Sequence, residues 1–213
     1  MPSPPDQAAP PVLRIFLVRH ARPEVSRQGA FGQQEASQFI QDYDSADVEA
    51  GISPPAGLPY QEIKKVYCST LNRSKKTARA IFGPETPLVE EAAFNEFERK
   101  ILRLPLLKFP IDFWLTASRA LWLLGLNSKG IETFKEAKSR ARTSARRLAD
   151  QARQEGQLVL VAHGFLNAFI RRELQKLGWQ VTRKDGSGFL GVTVLEKERQ
   201  NQDAEMGYTL TSL

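Results

Sequence analysis

Short apolar runs alternate along the chain with longer stretches whose apolar residues recur every three or four positions. Val12 to Val18 is apolar apart from Arg14, the pattern of a strand covered on both faces. Val66-Tyr67-Cys68, within Lys64 to Ser69, predicts a second strand, and Pro87 to Val89 a short third. Gln157 to Ala162 repeats the pattern of the first, and Phe189 to Leu195 is a further strand, rich in Val192, Thr193, Val194 and Leu195. Met206 to Leu210 reads as a last one. The intervening stretches carry helical spacing. Gln33 to Tyr43 predicts a short helix, and Leu71 to Phe82 one that places Leu71, Ser74, Ala78 and Ile81 on one face before Gly83-Pro84 stops it. Ser69 and Thr70 are good capping types for its start. Ile111 to Leu124, Ile131 to Gln154 and Phe165 to Leu177 complete the set. Strands alternating with helices imply a layered α/β domain with a mostly parallel sheet.

The length of 213 residues suits one domain with a full core and a smaller appendage. One cysteine, Cys68, leaves no intrachain disulfide framework and fits a reducing compartment. The most apolar region, Phe109 to Leu126, is interrupted by Pro110, Asp112 and Arg119, so it does not read as a membrane span. The first residues, M-P-S-P-P-D-Q-A-A-P-P, lack the basic start and apolar centre of a signal peptide, and residues 1–11 read as a disordered leader ahead of a domain over 12–213. A cytoplasmic location is expected. The net charge of +6 favours an anionic partner without choosing between a phosphorylated metabolite, a nucleic acid and a membrane surface.

Only two histidines occur, and each follows an apolar run at a strand-to-helix junction: Arg19-His20 after the first strand, and His163-Gly164 after Leu158 to Ala162. Open α/β sheets place their ligand crevices at such strand ends. Ser69-Thr70-Leu71-Asn72-Arg73-Ser74 lies at another junction and offers hydroxyls, helix-start N–H groups and an arginine fork suited to phosphate. Taken singly, each piece has a plain structural explanation: a satisfied histidine at a strand end, a helix cap, a solvated arginine. Together they suggest one shared anion site.

Leu17-Val18-Arg19-His20, Ser69 to Ala78, Phe94-Asn95-Glu96 and Val161-Ala162-His163-Gly164 occur in the order seen in the histidine phosphatase superfamily, and the chain resembles its phosphoglycerate-mutase-like branch. The resemblance implies a three-layer α/β/α sandwich with a mostly parallel central sheet. It implies that His20 is the nucleophile that becomes phosphorylated and that Arg19, Arg73 and His163 hold the phosphoryl group. Glu96 resembles the acid that protonates the leaving oxygen and then activates water, with Glu98, Glu90 and Glu91 as neighbouring alternatives. No metal and no cofactor is implied. Gly164 stands where the acid phosphatases and phytases of the other branch have aspartate. Two departures stand out: Ala21 replaces the usual glycine after the nucleophile, and Arg22-Pro23-Glu24 replaces the residues that contact sugar phosphates. Arg22 is a further candidate phosphate or substrate contact, with a surface ion pair as the plain alternative.

Residues 100–155 are expected to form a helical cap. Trp114 and Trp122 read better as helix-on-helix core than as the lining of an apolar pocket, and the arginines of the long helix as a solvated face. The expected activity is hydrolysis of a phosphate monoester by way of a phosphohistidine on His20. The alternatives are a phosphomutase and an inactive phosphate-binding module. A small phosphorylated substrate or a phosphoprotein is the expected partner. The chain shows no aromatic-rich RNA motif or zinc-finger spacing, so nucleic acid is disfavoured, and no membrane association is expected.

Overall fold

The computed structural model describes residues 12–199, so the leader expected over 1–11 and the strand expected at Met206 to Leu210 lie outside it. In chain order the elements are β1 (Val12–Arg19), β2 (Ala30–Phe31), α1 (Gln33–Ser45), β3 (Val66–Ser69), α2 (Asn72–Phe82) and β4 (Leu88–Glu91). There follow β5 (Phe109–Pro110), α3 (Ile111–Leu123), α4 (Phe134–Glu155), β6 (Gln157–Ala162), α5 (Gly164–Lys176), β7 (Gln180–Asp185) and β8 (Val192–Glu198).

Six strands form one sheet in the order β4-β3-β6-β1-β8-β7. The first four are mutually parallel, and β8 and β7 add antiparallel pairs at one side. The period of two along a strand sends alternate residues to opposite faces. Leu13, Ile15 and Leu17 of β1 thus join Leu158, Leu160 and Ala162 of β6 in one core with α4 and α5. Phe16, Val18, Val159 and Val161 join Val66, Cys68, Ala78 and Ile81 in a second core beneath α2. The result is a three-layer α/β/α sandwich, with both faces of the central strands covered.

A third core, built from Ala36, Phe39, Ile101, Leu102, Ile111 and Trp114, joins α1 to α3. The segment 100–155 therefore divides. Ala137, Ala141, Ala145, Leu148 and Ala152 of α4 are buried on the sheet, so this helix is part of a sandwich layer, while α3 packs with α1. Trp114 and Trp122 are both buried core residues. Their indole N–H groups donate to the carbonyls of Phe31 and Glu132.

Several boundaries differ from expectation for physical reasons. The long helix starts at Phe134 because Thr133 and Glu136 form a reciprocal capping box. Strand β8 begins at Val192, since Leu190 takes φ 59° and its N–H bonds the Arg19 carbonyl at 3.1 Å. Strand β7, Q-V-T-R-K-D, is a polar edge strand that alternation in its own sequence does not announce. Helix α2 starts at Asn72 with Leu71 at the N-cap, which has no capping side chain, while Ser69 Oγ accepts from the Leu71 N–H at 3.1 Å.

Candidate active site

Strand register brings the two histidines together. Arg19 of β1 pairs with Ala162 of β6, and Cys68 of β3 with Val161, so three adjacent strands end side by side with Arg19-His20, His163 and Ser69 just at their C-terminal tips. The His20 N–H bonds the Ala162 carbonyl at 2.9 Å, and the two imidazole centroids lie 5.1 Å apart.

His20 is 3% exposed, and its Nδ1 lies 2.7 Å from the Ala21 carbonyl oxygen. A carbonyl oxygen can only accept, so Nδ1 carries the proton and Nε2 of the neutral ring keeps its lone pair. The Ala21 N–H in turn donates to Thr77 Oγ1 at 2.9 Å, which fixes the turn after β1 from α2. Burial, then the Arg73 charge, bring the His20 pKa from 6.5 down to about 3, with Arg19 adding to the effect and the bond to Ala21 opposing it.

His163 is fully buried, with Nε2 2.8 Å from Ser69 Oγ and 3.4 Å from Ser74 Oγ. Burial holds it well below its ordinary value, assisted by the charges of Arg73, His20, Arg19 and Arg140. Its Nδ1 is buried with no hydrogen-bond partner. Arg73, 2% exposed, bonds Asp44 Oδ1 at 2.7 Å and lies over the Tyr43 ring, and its Nε also lacks a partner. Arg19 donates from Nη1 to the Ser187 carbonyl at 2.8 Å and stacks 4.3 Å from the centroid of Phe189, again with an unpartnered buried Nε. A Cβ on Gly164 would stand 3.1 Å from Arg19 Nε and 3.2 Å from its Cδ, so glycine is what lets this arginine lie against the start of α5.

Glu96 lies on the loop after a short 3-10 turn, Ala92–Phe94. Its Oε1 accepts from the N–H groups of Phe97 (3.0 Å) and Leu166 (3.1 Å), and its Oε2 from Phe165 (3.2 Å). It thus caps α5, which has no side-chain cap of its own, from 70 residues upstream in sequence. Two arginines that sequence reasoning assigned to solvent or passed over fasten this loop on either side. Arg140 donates to the carbonyls of Ala93 (2.9 Å) and Asn95 (2.8 Å) while paired with Glu132, and Arg119 donates to those of Phe97 (2.8 Å) and Glu98 (3.0 Å). Asn95 Oδ1 accepts from both the N–H and the hydroxyl of Thr70. Glu98 instead accepts from the Glu132 N–H with its Oε2.

Arg19, His20, Arg73 and Glu96 line one open cavity of about 970 Å³, and His163 sits behind its wall. Arg22 is not brought into it. That side chain is largely exposed, 3.4 Å from Glu49, and borders a smaller adjoining pocket. Nothing in the sequence pattern pointed to Phe189 or Ser187 as site residues, and Thr77 stood in the Ser69 to Ala78 stretch without a role of its own. Among the described residues no group of three or more His, Cys, Asp or Glu side chains is placed to hold a metal ion, and no helix is long and apolar enough to cross a membrane.

Solved structures of low sequence identity align with most of this chain. A phosphoglycerate mutase from Bacillus anthracis aligns with a TM-score of 0.52 and 13% identity, over 89% of this chain and 89% of that one. A phosphoserine phosphatase from Entamoeba histolytica gives a TM-score of 0.47 and 16% identity, over 88% and 95% of the two chains. A mycobacterial glucosyl-3-phosphoglycerate phosphatase gives 0.47 and 16%, over 87% and 90%. No curated protein matches the sequence. The family model for the histidine phosphatase superfamily (branch 1) matches residues 15–206, nearly the whole chain, and to that superfamily this protein belongs.

Proposed function

We propose that this chain hydrolyses a phosphate monoester through a phosphohistidine on His20, without a metal. One observation carries the reading: Arg19 Nε, Arg73 Nε and His163 Nδ1 are buried nitrogens without a hydrogen-bond partner, and all three belong to residues grouped around His20. Unpaired buried polar groups are costly, and a ligand beside His20 would satisfy these three. A phosphoryl group offers acceptors to all of them, and two guanidinium groups supply the charge that its equatorial oxygens need.

In the first step the Nε2 lone pair of His20 forms a bond to phosphorus as the bond to the leaving oxygen breaks, and Glu96 gives that oxygen a proton. In the second, water attacks the phosphohistidine, the N–P bond breaks, inorganic phosphate leaves, and the water proton returns to Glu96. His20 ends neutral, as it began. The proton on Glu96 belongs on Oε2, which accepts one N–H, in preference to Oε1, which accepts two. A cavity of about 970 Å³ suits a small phosphorylated metabolite. The single cysteine, buried and unpaired, fits a cytoplasmic home.

The test is turnover of p-nitrophenyl phosphate by wild type and His20→Ala, with and without excess EDTA. His20→Ala is expected to abolish turnover and acid-labile phosphate labelling of the chain, and EDTA to leave the rate unchanged. Undiminished turnover in His20→Ala would sink the mechanism. EDTA inhibition reversed by a divalent cation would overturn metal independence. Isomerisation primed by a bisphosphorylated compound, in place of phosphate release, would make the protein a phosphomutase.

A further inference from the structure

Six arginines line the cavity: Arg19, Arg27, Arg73, Arg99, Arg119 and Arg140. Five have protein partners: the Ser187 carbonyl for Arg19, Asp112 for Arg27, Asp44 for Arg73, the Phe97 and Glu98 carbonyls for Arg119, and Glu132 with two carbonyls for Arg140. Arg99 has no hydrogen bond or ion pair among the described residues, and its Nε is buried without a partner. A solvated surface arginine would need no explanation. One whose Nε is shut off from water and from any acceptor does, because a guanidinium has donors to satisfy and no acceptor of its own.

The acids nearby are already engaged. Asp44 is held by Arg73, Asp112 by Arg27 and Glu132 by Arg140, and Glu96 accepts three backbone N–H groups. Arg99 and Arg119 meanwhile repel each other: the Arg99 charge, after burial, helps bring Arg119 down to about 10, and burial lowers Arg99 as well. Arg99 is left in the cavity wall, three residues along the chain from Glu96, with Glu96 and Asp44 acting on it only through space and no acceptor in contact with it among the described residues.

We propose that Arg99 receives a second anionic group of the substrate, a carboxylate or a second phosphate, so that the substrate is a phosphate monoester carrying a further negative charge. The proposal rests on the phosphatase reading for the position of the first phosphate, at His20. Its second group meets a guanidinium with free donors, the arrangement in which arginine discriminates most strongly.

Three compounds separate the possibilities: glycerol 3-phosphate, 3-phosphoglycerate and glycerol 1,3-bisphosphate, which end in a hydroxyl, a carboxylate and a second phosphate. Wild type is expected to favour at least one doubly anionic compound by about tenfold in kcat/KM, the scale of one charge-assisted bond. Arg99→Gln is expected to bring that ratio to within about twofold of unity, chiefly through KM, and Arg99→Lys to retain part of it. A ratio between substrates is independent of how much of a variant folds. The same compounds titrated into His20→Ala read the subsite as Kd without turnover. Tighter, Arg99-dependent binding in His20→Ala, with no phosphate released from any of the three compounds by the wild-type chain, would sink the phosphatase reading and keep the subsite. Absence of any preference in wild type, or equal loss on all three compounds in Arg99→Gln, would overturn the proposal.

Discussion

Replacing Gly164 with alanine separates what the α5 start does for the fold from what it does for the site. The added Cβ would lie 3.1 Å from Arg19 Nε, 3.2 Å from Cδ and 3.3 Å from Cζ, so the guanidinium must move by a few tenths of an ångström. It cannot do so freely, because Nη1 is held at 2.8 Å by the Ser187 carbonyl and its face lies against Phe189. For the helix alone the change is favourable, by up to about 0.5–1 kcal/mol at an interior position and less at the first turn, which the crowding offsets. The melting temperature is therefore expected to stay within about 2 °C of wild type, given roughly 2–4 °C per kcal/mol for a chain of this size. A misplaced charge-assisted bond to phosphate is worth about 1.4 kcal/mol, half the upper value for such bonds, or about tenfold in kcat/KM. Thermal melting and steady-state kinetics with p-nitrophenyl phosphate measure the two effects in one preparation. Unchanged kcat/KM would refute the placement of Arg19 against Gly164. Activity and melting temperature falling together by a large margin would show damage to the fold instead.

Glu96→Gln should slow substrates with poor leaving groups more than p-nitrophenyl phosphate and lower the melting temperature by about 2–4 °C through the weakened α5 cap; an equal loss on all substrates would move the acid role elsewhere. Phe189→Ala removes the ring against Arg19 and His20 and should raise KM severalfold with a smaller change in kcat; no change in KM would deny the ring a positioning role. Both histidines are neutral in the fold well below 6.5, so an unfolded chain binds protons that the native one does not as the pH falls from 6.5 toward 3. Stability is complete above about pH 7.5 and should drop by about 1.6 kcal/mol between pH 6.5 and 5 through His20, with His163 adding a loss of the same sign, read from urea midpoints, and the slope should flatten in His20→Ala. Vanadate should raise the His163 titration, followed by ring nitrogen shifts in NMR, and an unmoved titration would deny it a place at the phosphoryl group.

The strand ends were readable because β1 and β6 are covered on both faces, which writes a continuous apolar run into the sequence with His20 and His163 at its end. Edge strand β7 was not readable, since its pairing is dictated by β8 and its side chains are mostly polar. Sequence placed Ser69 and Thr70 at a junction, as helix-capping types and as hydroxyls of an anion cradle. In the fold they serve His163 and Asn95, contacts across 94 and 25 positions that no local pattern records. Arg140 reads as one more charge beside an alanine stripe, and only the packing of α4 under the Glu96 loop turns it inward. Arg22 shows the opposite case: adjacency to His20 made it a candidate, and the turn after β1 carries it to a different pocket.

The two histidines have similar surroundings and are prepared for different work by one bond each. His20 has its Nδ1 proton committed to the Ala21 carbonyl, so only Nε2 keeps a lone pair, the one the phosphatase reading uses as nucleophile. His163 has Nε2 between two serine hydroxyls and an unpartnered Nδ1, so it can take a proton and donate it to an oxygen. In the free protein burial, and after it the charges of Arg73 and Arg19, hold both rings unprotonated. On the phosphatase reading, an arriving phosphate dianion offsets the part of that depression due to Arg19 and Arg73, leaving burial as the main remaining cause. The proton affinity of His163 therefore rises when there is a phosphoryl oxygen to donate to, while His20 Nε2 is already facing phosphorus. On that reading the cations that add to burial in keeping His20 unprotonated are screened by the substrate itself, and the pocket needs no separate switch to give its two imidazoles opposite roles.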